Sequence, residues 1–148
     1  MSEFLDACET AARAGGAVLM DWRGKCKAKE KGPADLVTEA DFASQATIRE
    51  LLLERFPGHG FLGEEENADL KPPDGRHRWI VDPLDGTVNY VHGVPNFAVS
   101  VALERDGEIV AGVVYDPSLD ECFTAEAGGG ARLNGGPIQA SNTQSLTE

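Results

Sequence analysis

Cysteine and histidine are both scarce in this 148-residue sequence, three of each. Cys8, Cys26 and Cys122 include no close pair, and His59, His77 and His92 are scattered along the chain, so a zinc site is not expected. An odd number of thiols suggests a reducing compartment. The start Met-Ser-Glu-Phe-Leu-Asp lacks the basic stretch and apolar run of a signal peptide, and the expectation is a cytoplasmic protein. No apolar run is long enough to cross a bilayer. Positive charge is also sparse, with 13 Lys and Arg against 25 Asp and Glu and a net charge of −12. A field of that sign repels phosphodiester backbones and anionic lipid, which argues against nucleic acid and membrane partners. No internal repeat is visible, and neither Gly128-Gly129-Gly130 nor Asn134-Gly135-Gly136 leads into the Lys-Ser or Lys-Thr of a phosphate loop, so both read as turns.

What is present fits one folded domain, residues 1–148, long enough to bury a core without staples. Phe4, Leu5, Cys8, Ala11, Ala12, Val18, Leu19 and Trp22 recur at helical spacing behind Ser2, a residue type that caps helices. The basic run from Lys25 to Lys31 closes on Gly32-Pro33 and reads as a loop or short exposed strand. Thr38-Glu39-Ala40-Asp41 opens a second helix, with Phe42, Ala46, Leu52 or Leu53, and Phe56 as its apolar face, stopped before Pro57-Gly58. The stretch after Glu64-Glu65-Glu66 reads as a surface loop up to Trp79-Ile80-Val81, a short buried strand. Phe97 to Leu103 and Glu108 to Tyr115 flank Asp106-Gly107, a hairpin signal. Short strands at Glu121 to Ala125, Ala131 to Leu133 and Ile138 to Ala140 continue the meander. Two helices followed by an antiparallel sheet define an α+β architecture, helices layered on the sheet.

The chemistry is concentrated after that short strand. Asp82 stands at the strand's end, Pro83 restricts the backbone, and Asp85 returns three residues later, so two carboxylates can face one small volume. Like charges that close are costly unless cations separate them, and hard oxygen ligands suit Mg²⁺. An ordinary Asp-Pro turn with Asp85-Gly86 as its corner accounts for the same spacing. Asp41 reads equally well as a capping-box partner of Thr38, and Glu64 to Glu66 as a solvated charge run. His92 reads as a surface or packing residue and Cys122 as core.

The segment Asp82-Pro83-Leu84-Asp85-Gly86-Thr87-Val88-Asn89-Tyr90 resembles the signature of the inositol monophosphatase family. Gly63-Glu64-Glu65 is similar to that family's Gly-Glu-Glu metal motif, and Asp35-Leu36-Val37-Thr38 through Asp41 to its Asp-Leu-Val-Thr segment with a following acid. The Phe97 to Ala102 and Gly130 to Gly135 stretches also look like the family's strands, so the likeness covers essentially the whole chain. It implies the amino-terminal half of a layered αβαβα phosphatase fold. It further implies that Glu64, Asp82 and the Leu84 carbonyl hold one Mg²⁺, and that Asp82 with Asp85 holds a second. Glu64, Thr87 and Asp41 would be catalytic, the Thr87 hydroxyl paired with Asp41 and positioning water. Asp85 and the amides near Gly86 and Thr87 would receive the substrate phosphate.

The implied activity is hydrolysis of a phosphate monoester, inositol monophosphate or a related polyol or sugar phosphate, with Li⁺ sensitivity and a homodimer as family traits. Val88-Asn89-Tyr90 looks more like the inositol branch than the adenosine bisphosphate branch, while fructose-1,6-bisphosphatase, histidinol phosphatase and nucleotidase activities stay open. Family members continue into a second α/β half that supplies a further Asp ligand, and this sequence ends before it; Asp106, Asp116 and Asp120 lie in or beside turns and do not replace that ligand. The rival expectation is therefore a catalytically incomplete metal-binding or interaction module. Exposed sheet surface in such a half predicts self-association.

Overall fold

A computed structural model of the chain describes residues 2–25, 27–32, 35–65 and 69–145. Cys26, Pro33, Glu66 and Leu146 to Glu148, on which parts of the sequence reading rest, lie outside the described residues. Helix α1 spans Glu3–Trp22, and its amino end is closed by the Ser2 hydroxyl, which accepts from the Leu5 N–H at 3.2 Å. The basic segment forms a small antiparallel pair, β1 (Lys29–Gly32) and β2 (Asp35–Val37). Helix α2, Glu39–Arg55, begins at a capping box in which the Thr38 oxygen and the Asp41 carboxylate each accept from the other's backbone end of the turn.

An eight-stranded sheet follows, built from β3 (Gly60–Gly63), β4 (Asp69–Leu70), β5 (His77–Asp85), β6 (Ala98–Arg105), β7 (Glu108–Asp116), β8 (Glu121–Glu126), β9 (Gly130–Leu133) and β10 (Gly136–Ile138), with α3 (Thr87–Val91) between β5 and β6. The spatial order is β10-β9-β8-β7-β6-β5-β3-β4. All pairs are antiparallel except β3 with β5, which run parallel. The helices lie on this mixed sheet, α1 over β6, β7 and β8 and α2 over β3 and β5. The β6–β7 turn has Asp106 at φ 54° and Gly107 at φ 85°, the left-handed backbone that the Asp-Gly pair signals.

Strand residues alternate between a buried and a less covered face. Val99, Val101 and Leu103 of β6 and Ala111 and Val113 of β7 are buried with Leu5, Cys8, Leu19, Ile48, Leu52, Phe61 and Trp79. The intervening Val114 and Phe123 are 44% and 38% exposed. A groove of about 470 Å³ runs over that second face, past Ala102, Gly112, Val114, Phe123 and Ile138. The helices sit close to each other because α1 carries glycine at the crossing. A Cβ on Gly15 would lie 2.6 Å from the Ile48 side chain, and one on Gly16 would lie 2.7 Å from the Tyr115 ring.

The buried faces of the helices differ in part from the apolar positions read off the sequence. On α1, Gly15 and Gly16 join Leu5, Cys8, Ala11, Ala12 and Leu19 inside, while Trp22 is 37% exposed. On α2, Phe42 is 36% exposed and Ala46 is exposed, and the inward face is Ala40, Asp41, Ser44, Gln45, Ile48 and Leu52. Half of that face is polar, which a search for apolar period alone passes over.

Candidate active site

The parallel register of β3 and β5 sets the geometry. Gly60 lies opposite Arg78 and Gly63 opposite Val81, a constant offset of 18 residues, and the Glu64 N–H continues the ladder to the Val81 carbonyl at 3.1 Å. The same offset places Glu64, just past the end of β3, beside Asp82, the last residue of β5 before its register shifts. Against β6 the register shifts between Asp82, opposite Ser100, and Asp85, opposite Ala98. Three steps on β5 match two on β6, so one extra residue bulges at Pro83-Leu84 and re-aims the chain.

The acids are crowded. Glu64 is exposed, while Asp82 and Asp85 flank the bulge. Burial, a hydrogen bond to Glu64 and the charges of Glu64 and Asp85 lift the Asp82 carboxyl to about 7, against the Leu84 N–H, which donates to Asp82 Oδ1 at 3.1 Å and stabilises the anion. At neutral pH the Asp82 carboxyl therefore retains a proton part of the time. A divalent cation would offset the same repulsion, and the donor set, carboxylate and carbonyl oxygen, suits a hard ion. The three carboxylates do not converge as a ready cage: among the described residues the only group of three metal-binding side chains with donor atoms within 4.8 Å of one another is His59, Asp74 and His77, elsewhere in the molecule.

Asp41 is fully buried and serves two partners. Its Oδ2 accepts from the Thr38 N–H at 2.9 Å and the Thr38 hydroxyl at 2.6 Å, and its Oδ1 lies 3.3 Å from the Thr87 hydroxyl. Burial raises its pKa, and the bonds from Thr38 and Thr87 oppose that rise. The single Thr87 hydroxyl hydrogen also faces the Leu84 carbonyl at 3.1 Å, so two acceptors compete for it. Gly86, at φ 90°, turns the chain into α3, and a Cβ there would stand 3.0 Å from the Asn96 carbonyl. Tyr90 ties α3 to α1, its hydroxyl donating to the Leu19 carbonyl at 2.6 Å.

Two residues that the sequence reading passed over hold these pieces in place. Gln45 clamps the Glu64-Glu65 corner from both sides: its Oε1 accepts from the Glu65 N–H and its Nε2 donates to the Glu65 carbonyl, each at 2.9 Å. Ser44 donates to the Pro83 carbonyl at 3.1 Å. Asp41, Ser44 and Gln45 therefore form one face of the first turns of α2, and polar residues at helical spacing after a capping residue are the signal that could have found them. His92 is exposed, with its Nδ1 2.8 Å from the Val88 carbonyl, in keeping with a surface residue. Cys8 and Cys122 are buried thiols, pushed up by burial to about 12 and about 11.

The arrangement is thus two helices on a mixed sheet, with Glu64 and Asp82 brought side by side by the parallel register of β3 and β5. The chain belongs to the inositol monophosphatase family, whose model matches residues 1–148. It is 54% identical over 118 residues to an inositol-1-monophosphatase of Rhizobium meliloti, covering 80% of this chain and 44% of that protein. It is 40% identical over 149 residues to a fructose-1,6-bisphosphatase/inositol-1-monophosphatase of Aquifex aeolicus, covering 99% and 56%. Among solved structures it resembles the extragenic suppressor protein suhB of Bartonella henselae, with TM-score 0.94, 43% identity and coverage of 98% and 57%. The IMPase of Thermotoga maritima gives TM-score 0.92 at 38% identity, covering 99% and 57%. The chain thus spans about half the length of the relatives it matches. No described helix is long and apolar enough to cross a membrane.

Proposed function

We propose that this chain forms the metal-holding and water-positioning half of a Mg²⁺-dependent phosphatase acting on a phosphate monoester, inositol monophosphate or a related polyol or sugar phosphate. The observation that carries the reading is the pressed pair Glu64 and Asp82 beside the Asp41–Thr87 hydrogen bond, all fastened to α2. Glu64, Asp82, Asp85 and the Leu84 carbonyl would hold Mg²⁺, which when bound neutralises phosphate charge and lowers the pKa of water. Thr87 gives its hydrogen to Asp41 or Leu84, which leaves its oxygen lone pairs to accept from an attacking water and aim it. The exposed Glu64 carboxylate takes that water's proton as general base. Backbone N–H groups of Gly86 and Thr87 receive phosphate oxygens at the start of α3. The dual name of the Aquifex relative keeps fructose bisphosphate among the candidate substrates.

The test is phosphate release from inositol 1-phosphate, fructose 1,6-bisphosphate and a small monoester panel, with Mg²⁺ or EDTA, beside Asp85→Asn. Release that needs Mg²⁺ and is lost in the variant supports the reading. Its absence in a folded chain favours the second reading, a catalytically incomplete metal-binding module, which the half-length match to the relatives motivates.

A further inference from the structure

We propose that His59, Asp74 and His77 form a second cation site, for a borderline divalent ion such as Zn²⁺, at the opposite end of β3 and β5 from the acidic cluster. The histidines are 18 residues apart in sequence, the same offset that pairs Gly60 with Arg78, so the parallel register carries them side by side. Asp82 lies five positions beyond His77 on β5, about 17 Å of strand, so the two sites do not share ligands.

One ring nitrogen of each histidine and one Asp74 carboxylate oxygen lie within 4.8 Å of one another. Two imidazoles and a carboxylate are the donors that Zn²⁺ and its first-row neighbours prefer over Mg²⁺. The second observation is an unsatisfied atom. His59 is only 7% exposed, and its Nδ1 is buried with no hydrogen-bond partner among the described residues. A buried polar atom of that kind costs free energy until a partner arrives. Burial and the neighbouring His77 hold the His59 pKa below its ordinary value, which favours the neutral ring that ligates metal.

Binding would require local movement. The two rings stack at 4.6 Å with an 11° tilt, and an imidazole ligates through a lone pair in its own plane. The pair must open about χ2, which is a broad torsion in histidine. Asp74 Oδ2 lies 2.6 Å from His77 Nδ1, and an ion there would take the place of the shared proton. Asp74 Oδ1 remains occupied by the N–H groups of Arg76 and His77 at 2.8 and 2.9 Å, so the turn that presents the site survives loading.

The experiment is titration of the full chain with Zn²⁺ by calorimetry in millimolar Mg²⁺, with histidine ¹⁵N shifts followed in parallel. The site predicts one Zn²⁺ per chain with micromolar affinity, shifts at His59 and His77 and none at His92. His77→Gln and Asp74→Asn should each weaken binding at least tenfold with the fold intact by circular dichroism; Asp74→Asn keeps an oxygen for the turn should His77→Gln fail to fold. No binding below 100 μM, a moving His92 with His59 unchanged, or equal affinity in a folded variant would overturn the proposal and leave a stacked core pair only.

Discussion

Asp41 shows how much one buried carboxylate can be asked to do. It caps α2 and faces Thr87, and the sequence supports both roles because Thr38 and Asp41 have capping-box spacing while the signature supplies the threonine. Asp41→Ala is expected to remove a cap and leave the Thr38 N–H unmet, destabilising the chain by about 1–2 kcal/mol in denaturant unfolding. Thr87→Val, which keeps the shape and loses the hydroxyl, should lower phosphate release at least tenfold while moving the unfolding midpoint much less. Asp82 gives a pH signature. Its folded pKa stands at about 7, above the ordinary 3.8, so its contribution to stability is full below pH 4 and is lost as pH rises through 7. In EDTA the native chain should therefore lose melting temperature relative to Asp82→Asn between pH 4 and 8, and added Mg²⁺ should shrink that difference. Equal slopes for the two proteins would contradict the assignment.

Among the elements, α2 separates what the sequence discloses from what it hides. Its boundaries follow from Thr38 and Pro57-Gly58, and the hairpins follow from Asp106-Gly107 and the glycine clusters. Its buried face did not follow, because Ser44 and Gln45 are inward only by virtue of the Pro83 and Glu65 backbone groups that meet them. Apolar periodicity records transfer from water and is blind to polar groups whose partners come from another strand. The His59–His77 stack was hidden for a related reason: spacing along the chain says nothing until the β3–β5 register is known. Gln45→Leu, similar in bulk but without the amide, should cost about 2–4 kcal/mol by leaving two Glu65 backbone groups unmet. It should also reduce Mg²⁺ affinity, measurable by calorimetry, since Glu64 is held through that corner. Ile48→Ala at the α1–α2 crossing should cost about 2–5 kcal/mol without altering Mg²⁺ affinity.

For the whole molecule, the covered and uncovered faces of the sheet are the main asymmetry. Ile109, Val114, Phe123 and Ile138 are 54%, 44%, 38% and 39% exposed on or beside the second face. Exposed apolar surface of this kind drives association. Sedimentation of the chain from micromolar to hundred-micromolar concentration should show growing mass, and Val114→Lys with Phe123→Lys should suppress it. Mass independent of both concentration and substitution would remove the expectation.

The placement of Asp41, Ser44 and Gln45 within little more than one turn of α2 has a bearing on how the chain tolerates insertions. A helix advances by about 100° per residue. One residue added between Thr38 and Asp41 would screw all three side chains away from Thr87, Pro83 and Glu65 together, whereas the exposed turn at Gly128 and Gly129, between β8 and β9, touches none of these partners. Length polymorphism should therefore be confined to the latter, and a library of single-residue insertions across the chain would read out the pitch of α2 as a silent gap in the recovered sequences.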